Sequence, residues 1–234
     1  MKETKLFWIT ANRHAMDFPP ITDALTEPDG LLAVAGDLSV PRLLEAYRNG
    51  IFPWYDDSQP ILWWSPNPRT VLLPEKVHIS RSLRKHMNKK AFNISFDQAF
   101  EKVIHQCAAP RPDENGTWLT TEMIAAYLEL HKEGHAHSIE CWQEDKLVGG
   151  LYGVSIGKVF FGESMFSLVP NASKICLVEL SKHLKLWGFK LIDCQVESAH
   201  LASMGAEQFS REEFKLYIGD YCEQLPSVQS WNVQ

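Results

Sequence analysis

The chain has 234 residues, a net charge of −6, and 45% hydrophobic and 22% charged residues, which is ordinary for a globular protein. This length suits one large domain or one domain with an N-terminal extension. The 29 acidic residues outnumber the 23 basic ones, whereas a protein that binds nucleic acid over its whole surface is usually basic. Any nucleic-acid contact must therefore come from a local patch.

The cysteine pattern and the N-terminus favour a reducing cytosol. Five cysteines are widely spaced, without a C-x-x-C pair, which predicts free thiols. The opening MKETKLFWIT lacks the apolar stretch of a signal peptide, and no uncharged apolar run approaches the length of a membrane span. We therefore expect a cytoplasmic protein that does not engage a membrane.

Residues 1–67 predict a small mixed N-terminal domain. Prolines, glycines and aspartates recur between short apolar stretches and indicate turns. One helix is expected over 40–49, because Ser39 can cap it, Pro41 lies in its first turn and Gly50 can end it.

Helices are also predicted in the middle of the chain. Ser80 can cap a short basic helix over Arg81–Met87, and Phe96–Cys107 carries apolar residues on one face. Thr120 offers a capping oxygen for a third helix, which Gly134 can end.

The C-terminal part, within a domain predicted to span 68–234, is strand-rich at first. Alternating stretches joined by short turns predict an antiparallel meander over 137–143, 146–156 and 159–167. After it we expect a helix capped by Asn171, a strand over 189–196, and helices over 198–204 and 211–223. Three antiparallel strands, a helix and a strand inserted beside the third match an acetyltransferase-like (GNAT-like) α/β domain with a mixed sheet. Fold alone does not give function.

The histidines do not predict a metal centre. His131, His135 and His137 are close in sequence, but H-K-E-G-H contains a helix-ending glycine, whereas a zinc protease needs H-E-x-x-H on a helix. The P-C-x-x-C partner of zinc deaminases is also missing. We expect solvated histidines at the end of a helix.

The start of the long C-terminal helix indicates which acyl donor the domain uses. An acyl-CoA acetyltransferase binds the pyrophosphate on glycine-rich backbone at that position. Here residues 168–173 read LVPNAS, without glycine. The predicted fold suits an acyl transferase, and the missing glycines point to a donor other than CoA.

Nine short strings in a fixed order are the most distinctive feature of the chain. They are GIFPWY (50–55), ILWWSPNPR (61–69), HISRSLRK (78–85), GTW (116–118), HAHSIE (135–140), LVGGLYGV (147–154), FFGESMFS (160–167), NASK (171–174) and LIDCQV (191–196). With them the chain resembles the leucyl/phenylalanyl-tRNA–protein transferases over nearly all of residues 6–221. WWSP and DCQ are the rarest of the strings.

This resemblance implies a two-domain enzyme that needs no metal or organic cofactor. Such enzymes take leucine or phenylalanine, and less well methionine, from aminoacyl-tRNA. They join it to the N-terminal α-amine of proteins that begin with arginine or lysine. The product carries a destabilising N-terminus and is degraded through the bacterial N-end rule.

Asp193 and Gln195 are the predicted catalytic pair. They lie two residues apart on a predicted strand that is otherwise apolar, so they would face one side. They form either a buried hydrogen-bonded pair or a functional one, and by resemblance they are catalytic. Whether Asp193 accepts the proton of the attacking amine or orients Gln195 stays open. Glu163 is either half of a structural ion pair or the carboxylate that holds an amino group of donor or acceptor, and the resemblance favours the second role.

Further residues are assigned to the substrates by resemblance. Trp54 and Trp118 match tryptophans that help to form the site of the tRNA's 3′ adenosine, where an aromatic face can stack on the base. The apolar pocket for the donor side chain matches Phe160, Met165 and Ile192, and Leu151 lies where relatives can have methionine.

A basic run provides the local patch that the overall charge requires. Its members are Arg81, Arg84, Lys85, Lys89 and Lys90, with no acidic residue among them. Such runs usually form a solvated helix face. In an acidic protein that resembles a tRNA-dependent enzyme, we expect contact with the phosphates of the acceptor arm.

Two other functions remain open at this level. One is an N-acetyltransferase that uses acyl-CoA, against which the missing glycines argue. The other is a module that only recognises basic N-termini, which would need neither the basic run nor the aromatic site.

Overall fold

The computed structural model describes residues 6–10, 18–88, 91–110, 119–227 and 231, and its N-terminal part has a sheet of its own. Its elements are β1 (Phe7–Ile9), β2 (Leu31–Ala35), α1 (Val40–Arg48), β3 (Phe52–Pro53) and β4 (Leu62–Trp64), with a short 3-10 turn over Ile21–Asp23. The strands are ordered β1-β2-β4-β3. None was predicted, because strands of two to five residues contain too few positions to display an alternating pattern.

The predicted helix over 40–49 is confirmed as α1, but Ser39 does not cap it. Its side chain makes no capping hydrogen bond. A capping side chain accepts from the second or third amide of a helix, and the second residue here is Pro41, which has no N–H. Gly50 follows the helix at φ 74°, a conformation that favours glycine.

The C-terminal part contains a seven-stranded mixed sheet. Its strands are β5 (Arg69–Leu72), β6 (Asn93–Phe96), β7 (Ala136–Gln143), β8 (Lys146–Ile156), β9 (Val159–Ser167), β10 (Leu191–Gln195) and β11 (Glu207–Phe209). Its helices are α2 (Arg81–Met87), α3 (Phe100–Ala108), α4 (Thr121–Lys132), α5 (Ala172–Leu186), α6 (Ala199–Ser203) and α7 (Arg211–Tyr221), with a 3-10 turn over Pro74–Lys76. The spatial order is β11-β5-β10-β9-β8-β7-β6.

The predicted fold class and its acetyltransferase-like strand order are confirmed. Strands β7, β8 and β9 form the antiparallel meander, and β10 lies beside β9 and parallel to it. The sequence did not predict β5, β6 or β11. The chain passes from one sheet to the other between β4 and β5, and the domain boundary after residue 67 stays a prediction.

Several other predicted helix ends are confirmed, and two more are wrong. The side chains of Ser80 and Thr120 accept the expected capping hydrogen bonds, and Ser210 forms a capping box with Glu213. Asn171 precedes α5 in the left-handed conformation at φ 69°, which leaves its side chain without a capping bond. In the stretch predicted as a helix over 96–107, Phe96 is the last residue of strand β6, and the helix starts only at residue 100.

Helices cover both faces of the large sheet. On one face the apolar core includes residues of α1, α3, α4 and α7, and it extends without a break into the N-terminal sheet. On the other face α2 and α5 pack over a second core. Neighbouring residues of β8 point to opposite cores, Leu151 to the second and Tyr152 to the first. Within the described ranges, no helix is long and apolar enough to cross a membrane.

Candidate active site

The site begins where strands β9 and β10 separate. The two strands pair from Val159 and Leu191 as far as Phe161 and Asp193. Beyond that point β9 continues, whereas Gln195 adopts φ 63° and the register of β10 against β5 shifts. The regular alternation of side chains between the two faces of the sheet therefore ends at Gln195. Beyond this residue β9 and β10 are no longer paired, and the gap between them connects the two faces of the sheet.

A cavity of about 990 Å³ opens at this gap. Its apolar wall combines strands β8, β9 and β10 with helix α5; the residues are Leu151, Phe160, Met165, Leu177, Leu180 and Ile192. The residues predicted for the donor pocket thus lie around one space. The sequence gave Leu177 and Leu180 no role beyond their place in the helix expected after Asn171, because nothing local indicates that α5 borders a cavity.

The opposite wall comes from the N-terminal domain and from the other face of the sheet. It includes Phe52, Pro53, Trp54 and Tyr152. The Trp54 side chain is 44% exposed, so it is not a core residue, and its carbonyl accepts a 2.7 Å hydrogen bond from the indole of Trp64. An exposed ring at the rim of a cavity is free to stack on a ligand. Trp118 lies outside the described residues.

Glu163 and Gln195 meet at the floor of the gap. The Gln195 amide nitrogen donates to Oε1 of Glu163 at 2.9 Å, and the Tyr127 hydroxyl donates to Oε2 at 2.7 Å. The hydroxyls of Tyr127 and Tyr47 are hydrogen-bonded in turn. Burial raises the pKa of both tyrosines well above the usual value, so they remain protonated donors at neutral pH. The chain from Tyr47 to Gln195 connects α1, α4, β9 and β10.

Glu163 changes its protonation state near neutral pH. Burial raises the pKa of its carboxyl from 4.5 to about 7, although hydrogen bonds from Tyr127 and Tyr47 oppose the shift; Asp193 adds to it. A carboxyl with such a pKa, in a cavity, is typical of a functional site.

Glutamine in place of Glu163 should make stability less dependent on pH. A carboxyl with a pKa of about 7 when folded and 4.5 when unfolded binds more protons in the folded state between these values, so the parent protein loses stability as pH rises through this window. The unfolding free energy of Glu163→Gln minus that of the parent should grow by about 1–3 kcal/mol from pH 4.5 to 8. Urea unfolding at each pH measures it, with Glu212→Gln on the surface as the matched control. A difference that does not change with pH would contradict the assignment.

Asp193 lies behind the cavity and does not line it. Its side chain is fully buried, and its two oxygens accept from Nε and Nη2 of Arg69 at 2.8 and 2.7 Å. Oδ1 also accepts the backbone N–H of Gln195 at 3.0 Å. The sequence pointed to Asp193 but gave Arg69 no role, although Arg69 ends the ILWWSPNPR string. Its partner is 124 residues away, and no local signal reports such a pairing.

Cys194, between the predicted pair, also lines the cavity. Burial strongly raises the pKa of its thiol. The reactive form of cysteine is the thiolate, so Cys194 is a poor nucleophile.

Two of the three clustered histidines, His131 and His137, are packed against protein groups, and for them the expectation of solvated side chains is wrong. His131 stacks on Phe100 with ring centroids 4.1 Å apart and contacts the carbonyl of Ala136. His137 is buried and pairs with Asp97 at 2.8 Å. Across the described ranges, no three His, Cys, Asp or Glu side chains lie together in a way that could hold a metal ion.

The basic run begins on a surface helix. In α2 the side chains of Arg81, Arg84 and Lys85 are exposed, while Leu83 is buried in the core shared with α5. Within the described ranges none of the three cations forms an ion pair. Lys89 and Lys90 lie outside those ranges.

The first backbone amides of α5 already form hydrogen bonds within the chain. The amide of Ser173 donates to the hydroxyl of Ser167 at 3.2 Å, and the amide of Ala172 donates to the carbonyl of Val169 at 3.3 Å. An acetyltransferase leaves the first amides of this helix to the pyrophosphate of CoA. Here two of those amides are already bonded, which agrees with the lack of glycine.

Comparison with protein families gives two matches that together cover most of the chain. Residues 71–218 match the family described as leucyl/phenylalanyl-tRNA protein transferase. Residues 36–67 match the N-terminal domain described for the same enzymes.

Relatives named leucyl/phenylalanyl-tRNA–protein transferase match over nearly their full length. One from Pseudomonas syringae pv. syringae (strain B728a) is 54% identical over 229 residues, which cover 98% of this chain and 99% of the relative. Another from Hydrogenovibrio crunogenus (strain DSM 25203 / XCL-2) is 57% identical and covers 97% of this chain and 89% of the relative.

Solved structures match more distantly. L-PGS from Bacillus licheniformis has a TM-score of 0.40 at 10% identity, over 71% of this chain and 53% of that one. A GCN5-related N-acetyltransferase from Kribbella flavida has a TM-score of 0.39 at 8% identity, over 71% of this chain and 59% of that one.

Proposed function

The chain belongs to the leucyl/phenylalanyl-tRNA–protein transferase family and is a transferase, and from this premise we propose which substrates it joins. The donor is aminoacyl-tRNA that carries leucine or phenylalanine, and less well methionine. The acceptor is the N-terminal α-amine of a protein that begins with arginine or lysine. The product enters N-end rule degradation, in the cytoplasm.

One observation carries this proposal: an apolar cavity adjoins a carboxylate and an amide at the gap between β9 and β10. Its volume of about 990 Å³ lies at the upper end of small-molecule pockets, which suits an aminoacyl group with its adenosine. The wall of Leu151, Phe160, Met165 and Ile192 takes the donor side chain, and the flexible thioether of Met165 adapts to leucine, phenylalanine or methionine.

The polar groups at the gap suit attack by an amine on an ester. The amine nitrogen bonds to the carbonyl carbon and the bond from that carbon to the ribose oxygen breaks. Of the two protons that leave the ammonium, one goes to a base and one to the ribose oxygen. Gln195 has its nitrogen engaged by Glu163. Because its Oε1 makes no hydrogen bond to the described residues, it can accept from the amine as it attacks.

Asp193 then serves as the residue that positions Gln195. Both of its oxygens are held by Arg69, and it does not line the cavity. Glu163 does line the cavity and holds an amino group. Its pKa of about 7 also lets it take up the proton that the ammonium must lose.

The tRNA is held at two places. Trp54 at the rim, together with Trp118, stacks on the terminal adenosine, which is unpaired and exposes its faces. The exposed cations of α2, continued by Lys89 and Lys90, contact phosphates of the acceptor arm. Helix α2 packs against α5, whose residues Leu177 and Leu180 line the cavity, so the basic helix neighbours an element of the cavity wall.

A transfer assay tests the function directly. The protein is incubated with labelled phenylalanyl-tRNA and a peptide that begins with arginine, and we expect label on the peptide. The same peptide with an acetylated N-terminus, or with an N-terminal glutamate, should stay unlabelled. Transfer from acetyl-CoA would indicate an acetyltransferase, and peptide binding without transfer would indicate a recognition module; either result overturns the proposal.

Neutralising the basic helix should weaken the use of full-length tRNA alone. In the triple variant Arg81→Gln, Arg84→Gln and Lys85→Gln, the apparent KM for charged tRNA should rise about tenfold near 0.1 M salt. The slope of log KM against the logarithm of the salt concentration should decrease by up to about 0.9 for each lost phosphate contact. Kinetics with phenylalanyl-adenosine should change little.

The matched control removes three positive charges from surface positions outside α2. Lys132, Lys190 and Lys215 are exposed and do not line the cavity, and their replacement by glutamine should leave the salt dependence steep. Equal losses with both donors in the α2 variant would contradict a phosphate contact.

A further inference from the structure

Arg69 is a fully enclosed cation near the site. Its side chain is 1% exposed, and its guanidinium lies 4.7 Å from the ring centres of both Phe52 and Phe214. These rings belong to β3 of the N-terminal sheet and to α7, while Arg69 itself lies in β5. Three parts of the fold therefore converge on one guanidinium.

The contacts of Arg69 require its planar shape. A buried cation is costly unless its partners are well aligned, and here two parallel hydrogen bonds reach Asp193 while rings contact the guanidinium. Nη1 has no hydrogen-bond partner among the described residues. Lysine carries the same charge but can neither form the paired bonds nor stack between rings. The surroundings of Arg69 therefore require the planar orientation of a guanidinium as well as its positive charge.

The orientation of the Asp193 carboxylate affects the cavity through a hydrogen bond to the backbone. Its Oδ1 accepts both from Nε of Arg69 and from the backbone N–H of Gln195. Gln195 has φ 63°, a conformation that costs a residue other than glycine and persists only where its surroundings hold it. From this conformation its amide reaches Glu163. Arg69, Asp193 and the turn at Gln195 thus form one connected unit.

We propose that Arg69 is a positioning residue for the transfer reaction: held between Phe52 and Phe214, it orients Asp193 and thereby the turn that directs the Gln195 side chain into the cavity. This inference rests on the proposed function and assigns a role that the transfer assay alone does not test. It predicts that losing the guanidinium slows the chemical step and leaves donor binding nearly intact.

The first test compares two buried arginines. Arg69→Lys should lower the single-turnover rate with phenylalanyl-adenosine about 5- to 20-fold, with at most a twofold change in donor binding. Arg42 is also buried and ion-paired, to Asp37 at 3.1 Å, and does not line the cavity. Arg42→Lys should keep the parent rate. A normal rate in Arg69→Lys, or equal losses in both variants, overturns the proposal.

Phe214→Leu decides the question if the arginine variants do not fold. Phe214 does not line the cavity, and leucine removes one ring face but leaves the ion pair. We expect the rate to fall about 3- to 10-fold with unchanged donor binding, and a parent-like rate overturns the proposal. All rates are relative to an active parent protein, so a parent without transfer activity would refute the proposed function instead.

Discussion

Alanine in place of Gln195 should lower the single-turnover rate of transfer by about 10²–10⁴-fold at neutral pH. Its side chain lines the cavity and bonds to Glu163 at 2.9 Å, so alanine removes the acceptor for the attacking amine and releases the carboxylate. Rapid-quench measurements with phenylalanyl-adenosine and an arginine peptide give the rate, with donor binding measured separately.

Asp193→Asn separates the two roles that the sequence left open. If Asp193 positions Gln195, the loss should resemble that of Gln195→Ala, higher pH should not restore it, and the double variant should lose little more. If Asp193 accepts the proton, raising the pH should partly restore the rate, because more of the acceptor amine is already neutral.

Stability controls are essential for this pair. Asp193→Asn leaves the Arg69 guanidinium buried without its counter-ion, a change that typically costs about 3–5 kcal/mol, so urea unfolding must accompany each rate. Gln208→Ala, exposed on strand β11, which β5 separates from β10, supplies a matched glutamine control with a parent-like rate. Near-normal transfer by the double alanine variant would return both residues to a purely structural role.

Trp54→Ala should weaken donor binding about 5- to 150-fold, which corresponds to about 1–3 kcal/mol for one stacked base. The loss should be equal for phenylalanyl-adenosine and full-length tRNA, because both retain the terminal adenosine. Equilibrium binding of each donor measures it. Stability should change little, since the side chain is 44% exposed.

Trp8 offers the matched control for this experiment. It is 67% exposed on β1 and does not line the cavity, so Trp8→Ala should bind both donors normally. Trp118→Ala should behave like Trp54→Ala if both tryptophans form the adenosine site. A loss confined to full-length tRNA would show that Trp54 does not contact the terminal base.

Elements with local signals could be predicted from the sequence. The meander is evident because tight turns at 144–145 and 157–158 separate long alternating stretches. Helices α2, α4 and α7 begin where a serine or threonine caps them. These signals span a few residues each and hardly depend on the rest of the fold.

Strands whose partners are distant in sequence could not be predicted. Strand β5 has four residues and pairs with β10 and β11, more than 100 residues later. Strand β6 was not predicted, and its last residue, Phe96, was assigned to the following helix, because the pairing of β6 with β7 leaves no local trace. Short apolar runs suit either structure until a partner selects one.

The sequence by itself determined the family, the order of strands β7 to β10 within the large sheet, and several of the residues that line the cavity, because those depend on motifs and on the period of apolar residues. Only the tertiary structure decided what those residues face. It joined Gln195 to Glu163, turned Asp193 away from the cavity toward Arg69, and placed Arg69 between Phe52 and Phe214. Each of these contacts joins positions distant in the chain, and a buried charge adopts the partner that the packed core brings to it.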